Sequence, residues 1–314
     1  VERCIYGVDL DPLAVELCRL SLWIETMDRT LPFSFLDHKV KCGNALVGAW
    51  FDQFLHYPVM AWKNREGGDK NHSNGVHFAK EARGKALRGF ANGLLKSNMK
   101  DYLTGQLPID PSLRAKEAAV IHAEALALLA RLHDLPVQEA SERARIYRED
   151  LLSAPAYQQL KSAMDLWCSC WFWPAEALNH APLPFSLADP PDTTRAVASK
   201  ISARLRFFHW ELEFPDVFCS EGAGFDAVLG NPPWDIAKPN SKEFFSNLDP
   251  LYRTYGKQEA LRKQVSYFAS EKVEQGWLDY NADFRSQSNF MKYAASAFGD
   301  PEASEASSDR FSIV

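Results

Sequence analysis

Residues Gly224 to Asp235 read GFDAVLGNPPWD. A short apolar run, Phe225 to Leu229, is expected as a strand, and it enters Asn231-Pro232-Pro233-Trp234 directly. Two consecutive prolines exclude a helix or a central strand at that point and restrict the residue before each of them. The corner therefore presents an amide and an indole on a stiffened backbone. Two further stretches place chemistry-bearing residues at expected strand ends, Val8-Asp9-Leu10 and Gly43-Asn44-Ala45. Ligands of an open parallel sheet bind at the carboxyl ends of its strands. An acid just after the second strand of such a fold is well placed to accept both hydroxyls of a ribose, which suits Asp9. Asp11 is better explained as a helix cap. Leu10 would lie against a purine face, and the Asn44 amide would meet the ring edge. A strand-end acid taken alone is more often a cap or a surface charge.

The elements that must position these residues follow from pattern. CIYGVDLDPLAVELCRLSLWIET reads strand, turn, helix. Asp11-Pro12 is a helix start, with a carboxylate for the free first-turn amides and proline at the first helical position. Leu13, Leu17, Leu20 and Ile24 recur at helical spacing and are expected to face a core. A second strand is expected around His38 to Cys42, so the opening is a β-α-β unit. After Trp50 the character changes. Residues 60–116 hold roughly twice as many bases as acids. NREGGDKNHSNG, from Asn64 to Gly75, has the composition of a mobile loop. This stretch fits a solvated insertion or, alternatively, a strip touching phosphates. Ser112 to Trp173 is expected to be mostly helical, with Ile121, Ala125, Leu128 and Leu132 on one face. Further helices are expected over Val137–Ser153 and Pro155–Cys170, with Trp167, Trp171 and Trp173 packed between helices. A Pro-rich linker follows, then a helix to about Arg206. FFHWELEFPDVF returns to strand character, Lys257–Gly276 reads as helical, and GDPEASEASSD as solvated loop.

Composition narrows the class. The 314 residues are 46% hydrophobic and 24% charged, enough to bury a sizeable core. No apolar run reaches the length of a membrane span, and the first residues lack a secretion signal. Cys4, Cys18, Cys42, Cys168, Cys170 and Cys219 show no C-x-x-C pair, so neither a zinc site nor a disulfide framework is expected, and a reducing cytoplasm is the plain reading. The net charge of −6 gives no global attraction to nucleic acid, although a local basic groove can supply one.

NPPW after FDAVLG resembles the catalytic motif of S-adenosylmethionine-dependent amino-methyltransferases that act on adenine N6 in DNA, of the gamma type. YGVDLDP with LAVELCRLSLW is similar to that family's ribose-binding segment, and KCGNAL to its adenine-contact segment. FHWELEFPDVF resembles the large single-chain members found in restriction–modification and phage-defence systems. The likeness covers about residues 1–50 and 205–235. It implies an α/β fold, an incomplete Rossmann-like class I methyltransferase sheet with a large, mostly helical insertion. Residues 1–50 and 205–314 would form the methyltransferase parts and 51–204 the insertion. It implies S-adenosylmethionine held by Asp9, Leu10, Asn44 and Ala45, with no metal. Catalysis would fall to Asn231, Pro232 and Trp234. The Asn231 side-chain oxygen and the Pro232 carbonyl would accept from the exocyclic amine, and the prolines would hold both acceptors in place beforehand. Pro233 and Trp234 would meet the substrate, with Trp234 stacked on an adenine swung out of the duplex.

The glycine-rich turn of a complete methyltransferase is missing from its expected place before Val1, and Gly222 and Gly224 do not supply it. The chain is therefore expected to be an internal portion of a longer polypeptide, or one chain of a split one. It would bind the cofactor poorly alone, an expectation that tight calorimetric binding would overturn. Expected partners are double-stranded DNA and a remainder or companion subunit carrying the glycine-rich loop and the target-recognition region. No membrane association is expected, and the location would be a prokaryotic cytoplasm. Two alternatives stand beside this reading. One is a non-catalytic DNA-binding or scaffold subunit with a degenerate fold. The other is a protein glutamine-N5 methyltransferase, whose planar amide nitrogen suits the same Asn-Pro-Pro-aromatic device.

Overall fold

The computed structural model describes residues 4–26, 33–51, 53, 56–63, 65–103, 120, 123–125, 127–128, 130–131, 134–136, 139–187, 189–218, 224–230 and 238–294. Asn231–Trp234, Ile121, Leu132 and the acidic tail lie outside them. The chain divides into two compact units, one of residues 1–57, 109–169 and 187–228, the other of residues 58–108, 170–186 and 229–314. Among the described residues no helix is long and apolar enough to cross a membrane.

The first unit starts as the β-α-β unit its sequence announces. Strand β1 (Gly7–Asp9) pairs in parallel with β2 (Val40–Cys42), in the register Gly7 to Val40 and Asp9 to Cys42. Between them runs α1 (Pro12–Glu25), with Asp11 as N-cap accepting from the Leu13 amide at 2.9 Å and Pro12 opening the helix. The face that docks is not the expected one. Leu13, Leu17, Leu20 and Ile24 are exposed, by 64% at Leu13, whereas Val15 is buried with Leu36 and Val40 against Leu22 and Trp23. The helix is apolar on both sides, and Arg19 decides between them: its Nε donates to the Val40 carbonyl at 3.0 Å, which turns the 15–19–22 stripe onto β2.

Helix α5 (Pro155–Ser169) packs on α6 (Asp192–Leu205), close to the expected bounds. Within 137–153 the helix α4 (Ala140–Arg145) passes into a π-helical turn, Ile146–Leu152. Ala125 is buried and Leu128 half-buried. Two expected strands are absent. In FFHWELEFPDVF only Phe207 makes a bridge, parallel to Asn44, after which α7 (Trp210–Glu213) forms one helical turn. The reason is tertiary: Phe208 and Leu212, four apart, both bury, and the carboxylates of Glu211 and Glu213 on either side of Leu212 find separate partners. Phe225–Leu229 is irregular, with no ladder partner among the described residues. Phe225 packs edge-on against Tyr6 and Trp210, while Leu229 is 96% exposed.

In the second unit α2 (Ala82–Phe90) leads through a π-helical turn, Ala91–Leu95, into α3 (Lys96–Leu103). The helices α8 (Ser241–Ser246), α9 (Lys257–Tyr267) and α10 (Glu271–Tyr293) follow. The expected 257–276 helix thus breaks at Phe268–Ser270, where Ser270 takes the N-cap position of the next. Phe245, Tyr252 and Phe268 form their core, and Trp171 meets Phe290 edge-on. Trp167, Trp171 and Trp173 are all fully buried, as expected.

The segment expected to be a mobile loop is instead pinned at several points. Asp69 accepts from the Arg83 and Gly84 amides and so caps α2 from a distance, since Glu81 at the N-cap position makes no side-chain cap. Gly68 has φ +79° and lies so close to the Ala282 backbone that a Cβ would clash. The buried Glu274 carboxylate gathers His72 Nε2 at 2.7 Å and the amides of Val76, His77 and Phe78.

Two stability measurements test this packing by urea unfolding. Leu17→Ser changes stability by no more than about 0.5 kcal/mol, while Val15→Ala costs about 1–3 kcal/mol. Equal losses would place the leucine stripe in a core after all. Glu274→Ala leaves buried donors unsatisfied and costs about 3 kcal/mol; a loss below about 1 kcal/mol would show the clamp to be incidental.

Candidate functional site

The parallel pairing of β1 and β2 brings Asp9 and Asn44 to the same carboxyl end of the sheet, with Asn44 two residues beyond β2. Asp9 is exposed, and its Oδ1 accepts from the Asp11 amide at 2.8 Å; Oδ2 has no partner among the described residues. Leu10 is 51% exposed. The Asn44 side-chain oxygen accepts from the Leu46 amide at 3.2 Å, and its NH2 has no partner among the described residues. Ala45 gives its carbonyl to Trp210 Nε1 at 3.0 Å, so that atom serves the fold. A free carboxylate oxygen, an exposed aliphatic side chain and an amide donor at one strand edge form a set that fits a hydroxyl-bearing ribose and a flat base. Asn231, Pro232, Pro233 and Trp234 lie outside the described residues.

Sequence reasoning missed Arg206, which joins these loops. It ends α6 in the left-handed region, at φ 53° and ψ 54°, a conformation that disfavours a side-chain-bearing residue. Its carbonyl accepts the Asn44 amide at 2.7 Å, and its guanidinium donates to the Leu10 carbonyl at 2.7 Å. One residue thus holds both candidate loops. A helix end without glycine at this position was the available signal. Glycines permit the close approach on the other side. A Cβ on Gly48 would lie 1.8 Å from the Phe208 carbonyl oxygen, and one on Gly43 would lie 2.6 Å from the Phe208 ring.

Beneath this edge two buried lysines on one side of β2 grip the segment 207–218. Lys39 Nζ lies 2.6 Å from Asp216 Oδ2 and 2.8 Å from the Tyr6 hydroxyl, which itself donates to Asp216. Lys41 Nζ lies 3.0 Å from Glu213 Oε2 and donates to the Glu213 carbonyl as well. Burial holds the Lys39 pKa below the ordinary lysine value, against the pull of Asp216. Burial also opposes charge on Lys41, but Tyr147 and Glu213 together outweigh it and place its pKa above that value. Burial would raise the pKa of Glu213; Lys41, Lys161 and His209 bring it below the usual carboxylate range.

His209 is fully buried next to this pair. Its Nδ1 accepts from the Ala49 amide at 3.0 Å, so the ring proton resides on Nε2, which donates to Asp165 at 2.9 Å. Burial pushes its pKa below 6.5, although Asp165 pulls the other way. The unfolded chain therefore takes up protons before the folded one does, and stability drops as the pH falls from about 6.5 towards the folded pKa. Asp165 and Glu213, both with lowered pKa values, extend the loss to lower pH. Thermal melts between about pH 5 and 8 should show His209→Gln less stable at pH 8 but with a shallower decline below pH 6.5. An unchanged slope would remove His209 from this role.

A family model for the Eco57I restriction-modification methylase matches residues 3–102 and 119–280. A protein of Methanocaldococcus jannaschii, named as a type II restriction enzyme and methyltransferase, is 24% identical over 265 residues. That match takes in 78% of this chain and 19% of the relative, so the chain spans about a fifth of the curated relative's length. No solved structure matches. The matched residues take in β1, β2, Arg206 and the segment 207–218, and cover most of the chain: it belongs to the Eco57I restriction-modification methylase family.

Proposed function

We propose that this chain takes part in transferring a methyl group from S-adenosylmethionine to the N6 amine of a flipped-out adenine in double-stranded DNA, within a restriction–modification or phage-defence system. The observation that carries the reading is the placement of Asp9 and Asn44 at one end of a parallel strand pair, in a chain of this family. When bound, the cofactor supplies an electrophilic methyl group on a sulfonium. Asp9 would accept from ribose hydroxyls, Leu10 would cover one face of the cofactor base, and Asn44 would donate at its edge, next to Ala45. The Rossmann-like character of the complete sheet belongs to the same proposal.

The exocyclic amine of adenine is a poor nucleophile because its lone pair is delocalised into the ring. Acceptors on its two hydrogens, the Asn231 side-chain oxygen and the Pro232 carbonyl, return that density to nitrogen. Proline geometry holds them ready, so little reorganisation accompanies the reaction. Alignment of nitrogen, methyl and sulfur then supplies much of the rate. Pro233 would meet the substrate, and Trp234 would offer a face that offsets the stacking lost by the extruded base.

The test is methyl transfer by the intact protein, with modified nucleosides identified by mass spectrometry. Asn231→Ala should lower N6-methyladenine formation by about 10²–10³-fold with unchanged DNA affinity. Asp9→Ala should weaken cofactor binding by about ten- to a hundredfold. Wild-type function in both variants would favour a scaffold, and methylated glutamine without methylated DNA would favour a protein substrate.

A further inference from the structure

Residues 82–100 hold five Lys and Arg and no Asp or Glu, inside a chain whose net charge is −6. Solvated helical faces ordinarily mix both signs. The structure sorts these cations. Arg83 turns inward, paired with Glu176 and with Asp279 at 2.9 Å, on the side where Leu87, Phe90 and Leu95 are buried. Lys85, Arg88, Gly89, Asn92 and Lys96 are exposed. The first four stand at i, i+3, i+4 and i+7, one face of a helix, and Lys96 continues the row past the π-helical turn. Arg88 has Glu81 at 3.7 Å, while Lys85 and Lys96 have no ion-pair partner among the described residues.

Two further features have no explanation in this unit's own packing. Gly89 and Gly93 lie within helical backbone, where glycine costs about 1 kcal/mol relative to alanine. A Cβ at either position would meet nothing within 4 Å. No buried neighbour therefore demands glycine, but a partner approaching the backbone closely would. The π-helical turn Ala91–Leu95 lies in the same strip, and such turns recur at functional sites.

We infer that the exposed face of α2 and the π-helical turn, ending at Lys96, is a docking strip for the phosphate backbone of duplex DNA. The inference rests on the DNA-methylation reading and deepens it by naming a contact surface. From Lys85 to Lys96 is roughly 16 Å at the helical rise, about five phosphates of one strand at 3.4 Å along the duplex axis. Lysine and arginine neutralise the phosphates, Asn92 donates to their oxygens, and the glycines let the duplex lie against the main chain. Such contacts position the DNA and carry no base sequence.

The test is fluorescence anisotropy of the intact protein with a labelled duplex over a series of salt concentrations. The triple variant K85A/R88A/K96A should bind at least about tenfold more weakly and lower the log–log salt slope by about two to three. Gly89→Glu, which replaces a helix-weakening glycine and spares the fold, should weaken binding in the same direction. The control K200A/K242A/K272A, at exposed sites elsewhere, should match the wild type in affinity. Wild-type affinity and slope in the triple and Gly89→Glu variants would overturn the strip. A poly-glutamate peptide that loses binding to these variants while DNA does not would also overturn it. Asn231→Ala separates the two proposals: if it abolishes methylation while the strip variants bind DNA normally, only the strip falls. A wild-type protein with no affinity for DNA would bring down both.

Discussion

Two ammonium groups removed from water govern the first unit. Lys39 and Lys41 leave the same side of β2, and a buried cation without a partner is costly. Asp216 and Glu213 are those partners, so the segment 207–218 is fixed against β2 by charges with few alternatives. Losing one member of such a pair typically costs about 3–5 kcal/mol, because the other remains buried and uncompensated. Such pairs specify one arrangement more than they add to stability. The Phe207 bridge, the Trp210 contact with Ala45 and the Phe225 anchor under Tyr6 all belong to the arrangement they specify.

Much of this was legible in the residues. Asp11-Pro12, the strand around Val40 and the Pro155 and Asp192 helices came out close to their expected places, because caps, prolines and periodicity are local signals. Errors arose where partners lie far away in sequence. The Leu13–Ile24 stripe is as apolar as the buried one, and Arg19 selects between them through the distant Val40 and Asp37. FHWELEF has strand composition, but contacts some 160 residues back turn it into a helical step. The polar stretch before Ala82 reads as a loop because composition cannot show that Asp69 and Glu274 satisfy its amides and neighbours.

At the candidate site the types of residue were readable and their support was not. Asp9, Leu10 and Asn44 stand together at the strand ends, whereas Arg206, which ties Leu10 to Asn44, carries no local mark except the missing glycine. The buried lysines and His209 likewise show their importance only through the carboxylates they face.

The bridge between Asn44 and Phe207 has an evolutionary implication. It joins the two ends of everything between them, while Ala49, Phe51, Tyr147 and Asp165 within that stretch also reach β2 or the segment 207–218. Closure entropy grows logarithmically, and doubling the intervening length costs only about 0.6 kcal/mol. Lineages are thus free to lengthen or trim the parts of that stretch that make no such contacts while the paired ends keep the strand-edge residues in register.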